Sequence, residues 1–253
     1  MATIVLAAGI ARPDILLARL GFSGVYFNGI AKHLRDGGFT TVVEPVVSFA
    51  GSVDERAGEL AKAIRGLDEV HIIAHSMGGL DARHVIVDHP DAAVNVRSLT
   101  TVGTPHLGTP FADRGTEHQH PLLDFVTATV HFSLAGFHDL TTAACRAFND
   151  RARAAEQKNP VKYRVVSAKQ TESATFAPLR PSHRIISESE GENDGLVSVT
   201  SARWTDNGLP PARFEAIDFP MPADHINEVG WDTDAGKVRD FYLELARGAV
   251  ASA

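Results

Sequence analysis

The stretch Val70-His-Ile-Ile-Ala-His-Ser-Met-Gly-Gly-Leu80 runs from a β-rich apolar segment directly into a helix-like one, with Ser76 at the join. A serine at such a strand-to-helix turn takes a strained backbone conformation that lifts its Oγ clear of the sheet. The residues two before and two after it must be small so that strand and helix can pass closely. Here they are Ala74 and Gly78, and Gly79 adds room. Glycine is usual at the first of these, so Ala74 is a departure that keeps the small size. An ordinary βα turn with Ser76 capping the helix is the alternative. The flanking context favours a nucleophile.

Around this stretch, strand-like and helix-like segments alternate. Ile4-Val-Leu-Ala7, Thr41-Val-Val-Glu-Pro45, Val70 to Ala74 and Asn95 to Val102 read as strands. Between them, Phe27, Ile30, Ala31 and Leu34 recur at helical spacing and stop at Gly37-Gly38. Val53, Ala57, Leu60, Ile64 and Leu67 form a second stripe opened by Ser52 as N-cap, and 79–87 a third helix. Such alternation predicts a mostly parallel sheet with helices on both faces, an α/β fold. It breaks after Gly103. Residues 104–159 read as helices and polar turns, an insertion over the sheet's C-terminal edge, where open α/β sheets place their sites. Strands return at Tyr163 to Ala168 and Arg213 to Asp218, and a last helix carries Ala235, Val238, Tyr242 and Leu245 on one side. No repeat or low-complexity tract is present, so 1–253 reads as one domain.

Composition sets outer bounds. The 253 residues are 44% hydrophobic and 22% charged, a globular balance. The net charge of −7 disfavours phosphate backbones, so nucleic acid is not an expected partner. The single cysteine, Cys145, permits no intramolecular disulfide and reads as a buried, inert thiol. The apolar run at residues 3–8 has no basic residue before it, so it reads as a strand and not as a cleavable leader. No run approaches the roughly 20 apolar residues of a membrane span. Location is left as cytoplasmic, or exported without such a leader.

A serine nucleophile needs a base, an acid that orients the base, and donors for the oxyanion. Among 12 histidines only His183 and His225 follow the insertion. His225 sits between the last strand and the last helix, which favours it as base over a capping or surface role. His183 precedes the candidate acid and is out of order. The acid is left open among Asp194, Glu190, Glu192, Asp218 and Asp224, since Asn193-Asp-Gly195 is also a plain turn signal. The Met77 N–H and that of Ile10, after Gly9, are the candidate oxyanion donors.

Four blocks, in order, carry a resemblance. They are Val5-Leu-Ala-Ala-Gly9 with Tyr26-Phe-Asn-Gly-Ile30; Ile73-Ala-His-Ser-Met-Gly-Gly-Leu-Asp-Ala-Arg83; Thr101-Val-Gly-Thr-Pro-His-Leu-Gly-Thr-Pro110; and Asn193-Asp-Gly-Leu-Val197 with Asp224-His225. The chain resembles bacterial triacylglycerol lipases of the true-lipase group, typified by Pseudomonas, Burkholderia and Proteus enzymes. The resemblance implies an α/β-hydrolase fold, extracellular action at a lipid–water interface, and a triad of Ser76, Asp194 and His225 with Met77 and Ile10 as oxyanion donors. It also implies a helical lid at 104–159, to which Leu122, Leu123, Phe125, Val126, Val130, Phe132, Leu134 and Phe137 would lend apolar surface. His106 would be a structural residue shaping a loop beside the site.

Two departures stand out. Relatives have His-Gly where this chain has Ala8-Gly9. Relatives also hold a structural calcium through an aspartate two residues past the catalytic histidine, where this chain has Asn227, and no aspartate lies between Asp150 and Asp194 to serve as the earlier ligand. Calcium sites draw strength from carboxylates, so calcium is expected to be weakly bound or absent, and no other cofactor is expected. The implied activity is hydrolysis of acyl-glycerols or other medium-to-long acyl esters. Acyl transfer on the same residues and a non-catalytic lipid-binding protein are the alternatives.

Overall fold

The computed structural model describes residues 2–9, 26–48, 51–117 and 134–252. Its strands are β1 (Thr3–Ala7), β2 (Thr41–Val43), β3 (Val70–His75), β4 (Val96–Val102), β5 (Lys162–Ser167) and β6 (Phe214–Asp218). They form one sheet in the order β2-β1-β3-β4-β5-β6, every pair parallel. The α-helices are α1 (Ile30–Asp36), α2 (Val53–Ile64), α3 (Met77–Asp88), α4 (Pro90–Ala93), α5 (Pro110–Glu117), α6 (Leu134–Asp139), α7 (Thr142–Lys158), α8 (Arg180–Ser189), α9 (Val199–Arg203) and α10 (Ala235–Ala251).

Successive side chains of a strand point to opposite faces, and β1 sorts its residues accordingly. Ile4 and Leu6 join a core with α1 and α10, whereas Val5 and Ala7 join a second core with α2 and α3. The sheet therefore carries helices on both faces, and its central strands are buried along their length except at Arg97. α2 opens with a reciprocal capping box, Ser52 accepting from the Glu55 N–H while the Glu55 carboxylate accepts from the Ser52 N–H.

Most strands shift by a residue at an end from the sequence reading, and three boundaries differ for a clear physical reason. The helix after Ser76 begins at Met77, because the turn is completed by Ser76 itself. Phe27 lies before α1, since Asn28 (φ 37°) and Gly29 (φ 79°) are left-handed and delay the helix to Ile30. β2 stops at Val43, short of Pro45, which has no N–H to give a ladder. α8 was not read from the sequence.

Residues 104–159 join β4 to β5, and their described part carries α5, α6 and α7. α7 packs on α3 through a buried ion pair and a partly buried ring stack. Arg83 donates to both Glu156 carboxylate oxygens at 2.8 and 2.9 Å, and His84 stacks on Phe148 at 3.8 Å. Leu122, Leu123, Phe125, Val126, Val130 and Phe132 lie outside the described residues, as does the side chain of Leu134. Among the described residues no helix is long and apolar enough to cross a membrane.

Candidate active site

Ser76 follows the last residue of β3 at φ 57°, ψ −135°. A non-glycine residue in such a region costs on the order of 1–3 kcal/mol and persists where its surroundings hold it. Here the Ser76 N–H donates to Val102 O at 2.9 Å, and Thr104 Oγ1 donates to Ser76 O at 2.8 Å. The small residues are required by close approach. A Cβ on Gly78 would lie 2.5 Å from Ala7 O, and one on Gly79 2.2 Å from Thr104 Oγ1. Ala74 is tolerated because its methyl enters the second core.

The register pairs Ala7 with Ala74 and His75 with Val102, so β1, β3 and β4 end level with one another. The loop after β6 completes this edge. His225 Nε2 lies 2.8 Å from Ser76 Oγ, and His225 Nδ1 lies 2.7 Å from Asp194 Oδ2. The Asp194 Oδ1 atom accepts from Leu196 N at 2.8 Å and Val197 N at 2.7 Å, which fixes the carboxylate in its turn. With Nδ1–H donating to that carboxylate, the Nε2 lone pair faces the serine hydroxyl. All three residues are buried. The structure thus brings Ser76, His225 and Asp194 into one hydrogen-bonded row.

The competing residues are placed elsewhere. Asp224 accepts from the N–H groups of Phe176, Ile226 and Asn227, shaping the loop that presents His225. Asp218 pairs with Arg203 at the surface, Glu192 with Lys169, and Glu190 with Ser198. His183 bonds to Gln170 O at 2.9 Å, away from Ser76. The Met77 N–H belongs to the first turn of α3, where amides have no helical carbonyl to bond. Ile10 lies outside the described residues. His106 is buried, bonded to Thr101 and stacked on Trp204. Cys145 is buried, and burial pushes its thiol up to about 12.

Sequence reasoning missed four neighbours. Tyr26 Oη lies 2.6 Å from His75 Nδ1, and His75 Nε2 lies 2.9 Å from Glu228 Oε2. Glu228 Oε2 is 3.5 Å from His225 Nδ1. Burial pushes the His75 imidazole well down and the Glu228 carboxyl well up, the latter reinforced by the Asp194 and Asp224 carboxylates. Arg56, wholly buried, donates to Asp81 at 2.6 Å and to Ala8 O at 2.7 Å. Glu228 stands one helical turn past His225, a spacing that sequence alone can flag. Nothing in the local sequence pairs Tyr26 with His75.

The row opens onto an apolar cleft of about 480 Å³, part of it open to solvent, walled by Pro105, Phe111, Phe137, Leu140, Leu196 and Val197. Phe111 and Phe137 meet edge to face at 5.5 Å. His75, His225 and Glu228 bring ligand atoms within 4.8 Å of one another. A cation there would have to displace the bonds those atoms already make.

Proteins of known structure superpose on this architecture. A lipase from Bacillus licheniformis, BlEst2 in its mature form, aligns over 97% of this chain and 91% of its own with a TM-score of 0.75 at 19% identity. EstA from Clostridium botulinum aligns over 100% and 87% with a TM-score of 0.74 at 16% identity. The chain has the α/β-hydrolase fold. Within it, residues 56–141 match the family described as PGAP1-like alpha/beta domain. The chain is 30% identical to Triacylglycerol lipase 2 of Saccharomyces cerevisiae over 239 residues, 88% of this chain and 66% of that protein. It is 35% identical to Triacylglycerol lipase of Pseudomonas fragi over 95 residues, 35% of this chain and 31% of that protein. The chain therefore spans just under two thirds of the yeast relative and about a third of the bacterial one.

The calcium implied by the lipase resemblance does not fit the residues present. Asn227 Nδ2 donates to the carbonyls of Trp231 at 3.0 Å and Asp232 at 3.2 Å, while its Oδ1 accepts from Asp224 N at 3.0 Å. A donor cannot ligate a cation, and the loop oxygens beside it already have partners.

Proposed function

We propose that this α/β-hydrolase cleaves carboxylic esters of lipid type, acyl-glycerols among them, through an acyl-enzyme on Ser76. The observation that carries this reading is the Ser76–His225–Asp194 row at the mouth of an apolar cleft. The names of the yeast and Pseudomonas relatives support the substrate class.

In this mechanism His225 Nε2 takes the hydroxyl proton as Ser76 Oγ attacks the ester carbonyl. Asp194 holds the imidazole in the tautomer that leaves Nε2 free, and stabilises the imidazolium that forms. The N–H groups of Met77 and Ile10 receive the oxyanion. His225 then protonates the departing alcohol, and water, activated by the same histidine, releases the acid. The acyl chain lies along Phe111, Phe137 and Leu140. Residues 104–159 act as the lid that meets a lipid surface. No calcium is needed, because Asn227 clamps its loop directly.

The test is hydrolysis of p-nitrophenyl esters from acetate to palmitate, with wild type beside Ser76→Ala. Wild type should turn over and be labelled by a fluorophosphonate, and Ser76→Ala should lose about 10⁴-fold or more in kcat. A folded wild type that neither turns over nor labels would refute the reading in favour of lipid binding. Preference for an added alcohol over water as acceptor would move it to acyl transfer.

A further inference from the structure

We infer that Tyr26, His75 and Glu228 act as one set of positioning residues, fixing the Ala8–Gly9 peptide plane beside Ser76 and tying it to the loop that carries His225. The geometry is continuous. The Gly9 N–H donates to Tyr26 Oη at 3.0 Å, Tyr26 Oη meets His75 Nδ1 at 2.6 Å, and His75 Nε2 meets Glu228 Oε2 at 2.9 Å. The carbonyl of the same peptide unit, Ala8 O, accepts from Arg56 at 2.7 Å, and Arg56 is itself bonded to Asp81 on α3. A peptide group held at both its C=O and its N–H cannot rotate about the chain.

The site is shaped for this chain of bonds. A Cβ on Gly9 would lie 2.7 Å from Ser76 Cβ and 2.8 Å from Tyr26 Oη. A Cβ on Gly103 (φ 55°) would lie 2.1 Å from Glu228 Oε2. Tyr26, His75 and Glu228 are 7%, 2% and 0% exposed, so water does not compete for these bonds. His75 and Glu228 are shifted toward their neutral forms by burial, which lets them orient the peptide without adding charge beside His225. Donors to an oxyanion accelerate only when they are already oriented, and Gly9 adjoins Ile10 in the chain.

The consequence for rate rests on the hydrolase reading, whereas the clamp itself does not, so two readouts are taken. The first is amide hydrogen exchange at Gly9, followed by NMR in wild type, Tyr26→Phe, Glu228→Leu and Glu228→Gln. Exchange should accelerate about 10-fold or more in Tyr26→Phe and Glu228→Leu and return toward wild type in Glu228→Gln, whose amide can still meet His75. The second is ester hydrolysis. The same two variants should lose about 10- to 100-fold in kcat at nearly constant KM, less than the roughly 10²–10³-fold lost with an oxyanion donor itself. The double variant should be no slower than the worse single one, as for residues acting as a unit. Unchanged Gly9 exchange in folded Tyr26→Phe overturns the clamp whether or not the protein is active. Accelerated exchange with unchanged kcat overturns its catalytic role. Failure of wild type to label with a fluorophosphonate refutes the hydrolase reading alone. Should Glu228→Leu not fold, Tyr26→Phe still decides.

Discussion

Asn227 ties its loop together through one side-chain amide, whose Nδ2 donates to the Trp231 and Asp232 carbonyls and whose Oδ1 accepts from the Asp224 N–H, beside His225. Converting it to aspartate replaces its two donors with acceptors facing carbonyl oxygens. Asn227→Asp should lower stability by about 1–3 kcal/mol in urea and should regain part of that loss with millimolar calcium. Wild type should keep its melting temperature and activity in EDTA; a drop in either would show that a cation holds this loop after all. Ser76, His225 and Asp194 were legible at this scale because chemistry restricts which residue types can follow one another around an elbow. Choosing Asp194 over its rivals took the resemblance, since a turn aspartate and an orienting aspartate look alike until the Leu196 and Val197 amides are seen to converge on it. Tyr26 was invisible because its role depends on a partner 49 residues away; the spacing of Glu228 from His225 could be flagged, but not its bond to His75, 153 residues away.

Between elements, the buried Arg83 links α3 to α7. Its guanidinium lies 3.8 Å from the centre of the Trp204 ring and 4.8 Å from that of Phe148 while bonding Glu156 in bidentate fashion. Removing one partner of such a pair leaves an uncompensated buried charge. Arg83→Met should therefore destabilise by about 3–5 kcal/mol, measured by urea denaturation, and Arg83→Met with Glu156→Leu should recover much of it. Equal losses for the single and double variants would mean that stacking, not charge, is what Arg83 supplies. Element by element, all six strands and their parallel course could be read from alternation and β-branched runs. Boundaries shifted where backbone conformation overrode side-chain pattern, as at Asn28 and Gly29. α8 escaped because its apolar positions, Ile185 and Ile186, are too few to set a helical period by eye.

Across the molecule, buried histidines couple stability to acidity. Burial under the stacked Phe148 ring pushes His84 down to about 4, although Asp88 lies 3.2 Å away. His71, His75 and His106 are lowered by the same cause. The unfolded chain protonates its histidines near 6.5, so this contribution is whole above that pH and is lost as pH falls toward the folded values. Asp81 acts in the opposite direction. Burial outweighs Arg56 and pushes it up to about 6, so its contribution is present below the ordinary aspartate range and lost as pH rises through about 6. The two are separated by difference. Between pH 7.5 and 4, His84→Phe should lose less stability than wild type by about 2–3 kcal/mol in chemical denaturation. Parallel curves would mean that His84 is protonated in the fold.

Ser76 and His225 meet across 149 residues of chain, and Asp194, within that span, joins His225 across 31. Long closures of this kind form slowly, because loop entropy is lost before the contact rewards it. Helices such as α2 and α10, built from local bonds, need no such closure. On dilution from urea, the far-ultraviolet helical signal should thus return ahead of reactivity toward a fluorophosphonate. The interval between the two would time the arrival of the last strand and its loop at a sheet already assembled, so that recovery of chemistry marks the final event of folding.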